Sequence, residues 1–218
     1  MKLTKLAFAA LAALAACGPM GENSGAGNFV KGVQGLASSL ISGPAEPVEV
    51  APLSREQLAA TGVPMMVMVL PSRNATAAMA QISDAGGRKT WMSPDGISVT
   101  TQDGIVVATR GLGDDLMGAD VDGVLSAIRN GGTVQRTHAF LSGEDQIIRP
   151  TLTCTYKKDA DQTITILGQN IATTRMAEDC ENAQIAFKNY YWLANSGEIV
   201  QTQQWISYGV GHLATQRP

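Results

Sequence analysis

The chain has 218 residues, of which 44% are hydrophobic, and its 16 basic and 19 acidic residues give a formal net charge of −3. That length suits a single domain with one sizeable core. The acidic balance argues against nucleic acid and against an anionic lipid surface as partners, because both attract basic patches.

The N-terminus has the pattern of an export signal. Lys2 and Lys5 precede an apolar run over residues 6–16, which is too short to span a bilayer as a helix. The run ends in the sequence LAAC at Cys17, which resembles the bacterial lipobox more than an ordinary secretory cleavage site. A plain secretory leader with an incidental cysteine is the alternative.

The lipobox implies that residues 1–16 are removed and that Cys17 is modified. The modification would be an S-linked diacylglycerol and an N-linked acyl chain such as palmitate, which together anchor a protein without a transmembrane helix. Gly18 follows the cysteine, where Asp would indicate inner-membrane retention in many enteric bacteria, so we expect the outer membrane. Loss of Lys2 and Lys5 with the leader leaves 14 basic and 19 acidic residues, a net charge of about −5.

The next segments predict a connection to the folded domain. Residues 17–28 are rich in Gly, Ser and Asn and predict a lipidated, flexible tether. Residues 29–63 predict short helices and a linker, with Ser54 capping the second helix. The first helix has an apolar face that either packs on the domain or docks on a partner or the bilayer.

Residues 64–218 predict a single antiparallel β domain. Short apolar or β-branched runs alternate with turn residues, and Pro94-Asp95-Gly96 and Asp103-Gly104 mark two hairpin turns. Residues 120–130 predict a helix that ends at Gly131. The last predicted strand is EIVQTQQWISY, and the residues after it read as an exposed tail. Strands do not alternate with long helices, so the sequence predicts a mainly β fold with one or two short helices.

Two cysteines remain if Cys17 is lipidated. The export signal implies an oxidising compartment, so Cys154 and Cys180 predict a disulfide that contributes about 3 kcal/mol in the chain-entropy model. Two free buried thiols are the alternative.

Familiar catalytic motifs are missing from the sequence. There is no G-x-S-x-G, H-E-x-x-H or C-x-x-C, and the two histidines are His138, in a strand pattern, and His212, in the tail. The GVGHLA stretch lacks the helix that a dinucleotide site needs. We therefore predict no catalytic residues and no noncovalent cofactor.

An acidic stretch raises the question of a metal site. It contains Asp114, Asp115, Asp120 and Asp122. The spacing does not fit the EF-hand loop, so a solvated acidic turn that caps the following helix is favoured over a calcium site. No metal is predicted.

Aromatic residues cluster near the C-terminus. Aromatic faces stack on sugar rings, and they also fill cores. The candidate contacts with a glycan or a protein partner are Trp91, Arg110, Trp192 and Trp205. Core packing is the alternative for these aromatic residues.

Two passages resemble the YjbF/GfcB family of group 4 capsule and exopolysaccharide lipoproteins. KTWMSPDGISVTTQDGIVVATRGLGDDL, residues 89–116, is similar to the family's order of a Trp, a turn, a Thr-containing apolar strand, an Asp-Gly hairpin and a strand before Gly-Leu. YYWLANSGEIVQTQQWIS, residues 190–207, resembles the family's late aromatic strand, Ser-Gly turn and Gln-containing closing strand. The lipobox at Cys17 is a third shared element.

The resemblance implies intertwined antiparallel β-sheets, arranged as a sandwich or half-barrel. It also implies a periplasm-facing role at the outer membrane, in export or assembly of a surface polysaccharide. The expected partners are an outer-membrane β-barrel, a soluble periplasmic protein and the polysaccharide itself. The leading hypothesis is therefore a non-enzymatic lipoprotein of exopolysaccharide or capsule export.

Two other hypotheses have distinct structural requirements. A carrier or chaperone for lipid or outer-membrane proteins would need a large apolar cavity. A glycan-modifying enzyme would need two facing carboxylates in a cleft.

Overall fold

The computed structural model describes residues 54–218. The predicted leader over 1–16, the tether over 17–28 and most of the region 29–63 lie outside the described residues. Within them, no helix has the length and apolar character needed to cross a membrane.

The described domain consists mainly of strands that pair in antiparallel fashion. The strands are β1 (Met65–Leu70), β2 (Ala75–Ala85), β3 (Arg88–Met92), β4 (Ser98–Gln102), β5 (Ile105–Arg110), β6 (Leu116–Ala119), β7 (Gly132–Leu141), β8 (Ile147–Ile148), β9 (Thr151–Ile166), β10 (Gln169–Glu181), β11 (Ala186–Ala194), β12 (Ile199–Ser207) and β13 (Gly211–Gln216). A short 3₁₀ turn over Pro71–Arg73 joins β1 to β2.

The strands form one large sheet that curls into a half-barrel. Their order is β5-β4-β3-β2-β1-β13-β12-β11-β10-β9-β7-β6, and β8 pairs with β7. This architecture confirms the mainly antiparallel β fold.

Within residues 54–218, two short helices accompany the sheet: α1 (Arg55–Ala59) and α2 (Val124–Asn130). Ser54 begins α1 with a capping box, because its hydroxyl accepts from the backbone of Gln57 while the Gln57 side chain accepts from the backbone of Ser54. Gly131 ends α2 at φ 76°, as predicted. A Cβ on Gly131 would lie 3.3 Å from a backbone oxygen of β9, so the helix end also needs a residue without a side chain.

The hairpins predicted from turn residues are present. Asp103 and Gly104 have φ values of 53° and 86°, and two consecutive positive φ values are the requirement of a type I′ turn. That turn joins β4 directly to β5, while residues 93–97 join β3 to β4. The local turn chemistry therefore determines the β3-β4-β5 meander.

The prediction that the C-terminal residues form an exposed tail is wrong. Residues 211–216 form β13, which lies between β1 and β12 near the middle of the sheet. His212 belongs to this strand, and its ring Nε2 lies 2.8 Å from the carbonyl of Lys188. The strand was missed because Leu213 and Thr215 are its only buried side chains, which gives a weak alternation over six residues.

The interior is divided by β5. Val106 packs into one hydrophobic cluster with Trp91 and Trp205, whereas Ile105 and Val107 pack into a second cluster below α2 and β9–β11. Successive residues of a strand point to opposite faces, so β5 is buried on both sides. The continuous apolar run IVV is the expected sequence for such a strand.

Candidate functional site

A buried carboxylate accepts hydrogen bonds from several strands. Glu178 Oε1 on β10 accepts from Arg136 Nη1 on β7 at 2.6 Å and from the Tyr156 hydroxyl on β9 at 2.5 Å. Its Oε2 accepts from Asn189 Nδ2 at 2.7 Å and from the Tyr191 hydroxyl at 2.6 Å, both on β11. Both carboxylate oxygens are thus satisfied by donors from three other strands, β7, β9 and β11.

Electrostatics keep this network in one protonation state. Burial would raise the pKa of Glu178, but the Arg136 charge and the hydrogen bonds from Tyr156 and Tyr191 hold it below its usual value. Burial and the Glu178 charge raise the pKa of both tyrosines, so they remain neutral donors. The network is therefore a structural ion pair with its donors fixed, and all side chains are buried.

The disulfide pair lies beside the network. Cys154 and Cys180 face each other in the register of β9 and β10, and their sulfur atoms are bonded in the structure. Among the described residues, these two sulfurs and Glu178 form the group with ligand atoms close enough to hold an ion. Sulfur engaged in a disulfide does not supply a metal-binding thiolate, so these three residues have a structural role and do not form a metal site. The disulfide in the isolated protein stays a prediction.

His138 lies in a stack of aromatic rings next to the ion pair. Its ring is parallel to Phe187 at a centroid distance of 5.6 Å, and Phe187 stacks on Trp205 at 4.7 Å. Neither ring nitrogen of His138 has a hydrogen-bond partner among the described residues. Burial and the neighbouring Arg136 charge lower the pKa of His138 to about 3, so the ring is neutral at physiological pH.

Gln204 connects β12 to the edge strand β5. Its Oε1 accepts from the Val106 backbone at 3.0 Å, and its Nε2 donates to the Gly104 carbonyl at 3.2 Å. One side-chain amide thus bonds to a backbone N–H of β5 and to a backbone carbonyl of the turn before it. This contact holds the β4–β5 hairpin over the start of β12.

A cleft opens where that hairpin crosses the sheet. Four segments far apart in the sequence surround it: the β4–β5 turn, the end of α2, the β11–β12 turn and the residue after β13. Its inner part has a volume of about 140 Å³ and its outer part about 350 Å³, and both parts are lined by Asp103, Ile199 and Arg217.

The inner cleft has an apolar wall and a row of hydroxyls. Met66, Trp91, Ile199 and Val200 supply the apolar surface, and Thr101, Thr202 and Thr215 supply the hydroxyls. The indole Nε1 of Trp91 donates to the Thr101 hydroxyl at 2.9 Å, which fixes the orientation of the ring.

Charged side chains surround the rim. Arg217 pairs with Glu198 at 3.0 Å, and Asp103 stands on the exposed hairpin turn. Lys89 lines the inner cleft and Arg129 the outer one, and neither forms an ion pair within residues 54–218. Two carboxylates therefore share this cleft with three cations.

The residues named from the sequence as candidate contacts have different surroundings. Trp91, Trp192 and Trp205 are 3%, 6% and 8% exposed, as the core-packing alternative requires, although Trp91 also lines the inner cleft. Arg110 is exposed, and its guanidinium donates to the backbone carbonyls of Leu116 and Met117. Contact of these four residues with a glycan or partner stays a prediction, and the predicted lipidation site Cys17 lies outside the described residues.

The acidic stretch is a hydrogen-bonded turn. Asp115 Oδ1 accepts from the Thr109 hydroxyl at 2.8 Å, and Oδ2 accepts from the Gly111 backbone at 3.0 Å. Asp114 Oδ2 accepts from the Gly209 backbone at 3.0 Å. The prediction that this stretch caps α2 is wrong, because the cap residue is Gly123 and no side chain bonds to the helix start.

Sequence reasoning missed the buried ion pair, although a signal was present. Glu178 has the same strand parity as Met176 and Cys180, and Arg136 has the same parity as His138 and Phe140. A charged residue in phase with the core-facing positions of a strand is an indicator of a buried pair.

The fold and these sites define a class: a compact antiparallel β half-barrel with a structural polar network inside and a small charged cleft at the surface. The chain belongs to the YjbF family, described as group 4 capsule polysaccharide lipoprotein gfcB, whose family model matches residues 36–217. The resemblance stated from the sequence is thereby confirmed.

A solved structure supports the fold. The crystal structure of the hypothetical lipoprotein YmcC from Escherichia coli (K12) superposes with a TM-score of 0.66 at 18% sequence identity. The match covers 80% of this chain and 96% of that one. A search of curated proteins finds no match.

Proposed function

We infer that this protein is an outer-membrane lipoprotein that supports export or assembly of an exopolysaccharide or capsule. The family match over residues 36–217 is the observation that carries the inference. The lipobox-like LAAC sequence adds a mode of attachment, through acyl chains on Cys17. The domain would face the periplasm, beside an outer-membrane β-barrel and a soluble periplasmic partner.

The described residues favour a binding role over catalysis. The buried network uses its carboxylate to hold four side-chain donors in place, and it is closed to solvent. In the cleft, Glu198 is paired with Arg217, and both Glu198 and Asp103 stand on exposed turns rather than in an apolar pocket. A glycosidase acid needs the apolar surroundings that are missing at these two residues.

The carrier alternative has no observation in its favour. Three hydrophobic clusters occupy the described half-barrel, and the inner cleft has a volume of about 140 Å³ with polar groups along its wall. An acyl chain or an unfolded strand needs a longer and more apolar cavity.

The test is a deletion strain with three complementing genes. Secreted and cell-bound polysaccharide is measured after complementation with the intact gene, with Cys17→Ala, and with a version whose leader is replaced by a non-lipoprotein export signal. The third version is the matched control, because it separates export to the periplasm from attachment to the membrane.

The expected result is a loss of polysaccharide on deletion and full restoration by the intact gene alone, with equal protein levels. Unchanged polysaccharide in the deletion strain would refute the proposed role. Full restoration by the non-lipidated version would retain the role and refute the anchor.

A further inference from the structure

The cleft beside the β4–β5 hairpin is lined by two cations, and a glycine of the hairpin turn shapes its wall. Lys89 of β3 lines the inner part of the cleft and Arg129 of α2 lines the outer part, and neither has an ion-pair partner among the described residues. Gly104 has φ +86°, and a Cβ at this position would lie 3.3 Å from Ile199 Cβ. A glycine here lets the hairpin approach β12 closely and thus shapes the cleft wall.

We propose that this cleft binds an acidic sugar unit, a pyranose ring that carries a carboxylate. The proposal deepens the proposed function and rests on it, since it names the polysaccharide chemistry that the protein would recognise. Three properties of the cleft support it: charge, surface chemistry and size.

The charge balance favours an anion. Glu198 neutralises Arg217 through their 3.0 Å ion pair, which leaves Lys89 and Arg129 against Asp103 alone. The cleft therefore carries an excess positive charge on a chain whose net charge is −3. A carboxylate on the ligand would supply the missing partner, and Arg binds carboxylates through paired N–H donors.

The surface chemistry fits a sugar ring better than a simple anion. Ile199 lines the inner cleft with apolar atoms for the C–H face of a ring, while Thr101 and Thr215 line the same part with hydroxyls. Asp103 is placed to accept hydrogen bonds from ligand hydroxyls. Specific ligand sites combine an apolar lining with a few convergent polar groups in this way.

The volume of the cleft suggests that one sugar ring occupies its inner part while the rest of the polysaccharide lies outside. The inner part, at about 140 Å³, limits occupancy to a small unit, whereas the outer part, at about 350 Å³, lies against exposed Ser196 and Arg129. A polymer would thus insert one residue and continue along the rim. The cleft would hold individual acidic residues of the polysaccharide as it passes.

Binding is measured on the mature lipidated protein in detergent by isothermal titration and by saturation-transfer NMR. The probes are trigalacturonate as an acidic oligosaccharide, maltotriose as a neutral one, and acetate as a bare carboxylate. The test variant is Lys89→Ala/Arg129→Ala. The control variant is Lys157→Ala/Arg149→Ala, which removes two exposed cations outside the cleft.

We expect trigalacturonate to bind, and maltotriose and acetate to bind at least tenfold more weakly. The cleft variant should lose about tenfold in affinity for trigalacturonate, and the control variant should match the wild type. Absence of trigalacturonate binding would overturn the proposal, as would equal binding of maltotriose or equal affinity of the cleft variant. If acetate bound as tightly as trigalacturonate, the cleft would be a site for any small anion, and the proposal would also be overturned.

The same cleft variant in the deletion strain separates the two proposals. If the intact gene restores polysaccharide and the cleft variant restores it equally, the proposed function stands and the cleft inference fails. If deletion leaves polysaccharide unchanged while trigalacturonate binds as expected, the export role fails and the binding site stands on its own evidence.

Discussion

Arg136 and Glu178 form an ion pair across an intervening strand, since Arg136 lies on β7, Glu178 on β10, and β9 runs between them. The nitrogen and oxygen are 2.6 Å apart, and the two side chains are 2% and 0% exposed. The pair thus ties three consecutive strands together from the core side.

Removal of either charge should strongly destabilise the protein. Glu178→Gln leaves the buried Arg136 guanidinium without a counter-charge, at an expected cost of about 3–5 kcal/mol in the free energy of unfolding. Urea unfolding followed by tryptophan fluorescence measures this loss. Glu181→Gln, at the exposed end of the same strand, is the control and should change stability by less than about 0.5 kcal/mol.

The Glu178 carboxyl also predicts acid sensitivity. Its folded-state pKa lies below the ordinary value of 4.5, so its stabilising effect is complete above that value and is lost as pH falls through the folded pKa. Glu178→Gln should lack this component of acid unfolding. An unchanged urea midpoint for Glu178→Gln at pH 7 would contradict the ion-pair assignment.

His138 predicts a second pH dependence at higher pH. Its folded-state pKa is about 3 against an ordinary 6.5, so below pH 6.5 the unfolded chain takes up a proton that the folded chain does not. Stability should therefore fall as pH drops from 6.5 towards 3, by about 1.7 kcal/mol between pH 6.5 and pH 5 from this group.

His138→Phe should remove that dependence. The phenyl ring retains the stacking with Phe187 and adds no unpartnered nitrogen, so the variant should be as stable as the wild type at pH 7.5 and more stable at pH 5. Urea unfolding at both pH values measures the difference. If the free energies of unfolding of the variant and the wild type differed by the same amount at both pH values, the lowered pKa of His138 would be refuted.

Turn chemistry explains which parts of the fold were predictable from sequence. A type I′ hairpin turn needs positive φ at both central residues, and the Asp103-Gly104 pair tolerates it, so this hairpin was predictable. Gly131 at the end of α2 also has a positive φ, which made the end of that helix predictable. The strand β13 also follows a Gly-rich turn, but its weak alternation of buried residues gave no strand signal. Its place in the sheet depends on pairing with β1 and β12, which is a tertiary contact.

The candidate cleft was beyond sequence reasoning for the same physical reason. Lys89, Asp103, Arg129 and Arg217 belong to four separate segments, and no spacing rule connects them. The curl of the sheet brings the segments together, and the Gln204 contact holds the hairpin that forms one wall of the cleft. Trp91 was identified from sequence as a candidate contact, and it does line this cleft, although it is mostly buried.

Gln204→Leu should loosen the β4–β5 hairpin. The substitution keeps the side-chain size but removes the acceptor of Val106 N–H and the donor to Gly104, and a buried unpaired backbone group costs about 1–3 kcal/mol. Amide hydrogen exchange at Val106 should accelerate, and urea unfolding should report the loss in stability. Gln203→Leu, the neighbouring β12 residue, is the control, and equal exchange at Val106 in both variants would exclude a closing role for Gln204.

Asp115→Ala should destabilise the turn before β6 without any involvement of calcium. The carboxylate accepts from Thr109, Gly111 and Leu112, so its loss should cost about 1–3 kcal/mol. Thermal unfolding of the wild type should be the same in calcium chloride and in EDTA. Asp122→Ala, on the exposed turn before α2, serves as the control. A rise in wild-type melting temperature with calcium that disappears in Asp115→Ala would establish a metal site there.

The Cys154–Cys180 bond should be present in the exported protein and should stabilise the β9–β10 pair. The two residues lie opposite each other in the register and are buried, so alkylation of the denatured protein should label neither cysteine before reduction and both after it. The Cys154→Ala/Cys180→Ala variant should lose about 2–4 kcal/mol, because the bond restricts the unfolded chain. Wild type unfolded in urea with reductant should resemble this variant, whereas wild type without reductant should not. Labelling of both cysteines before reduction would show that the strands are held by packing and the Arg136–Glu178 pair alone.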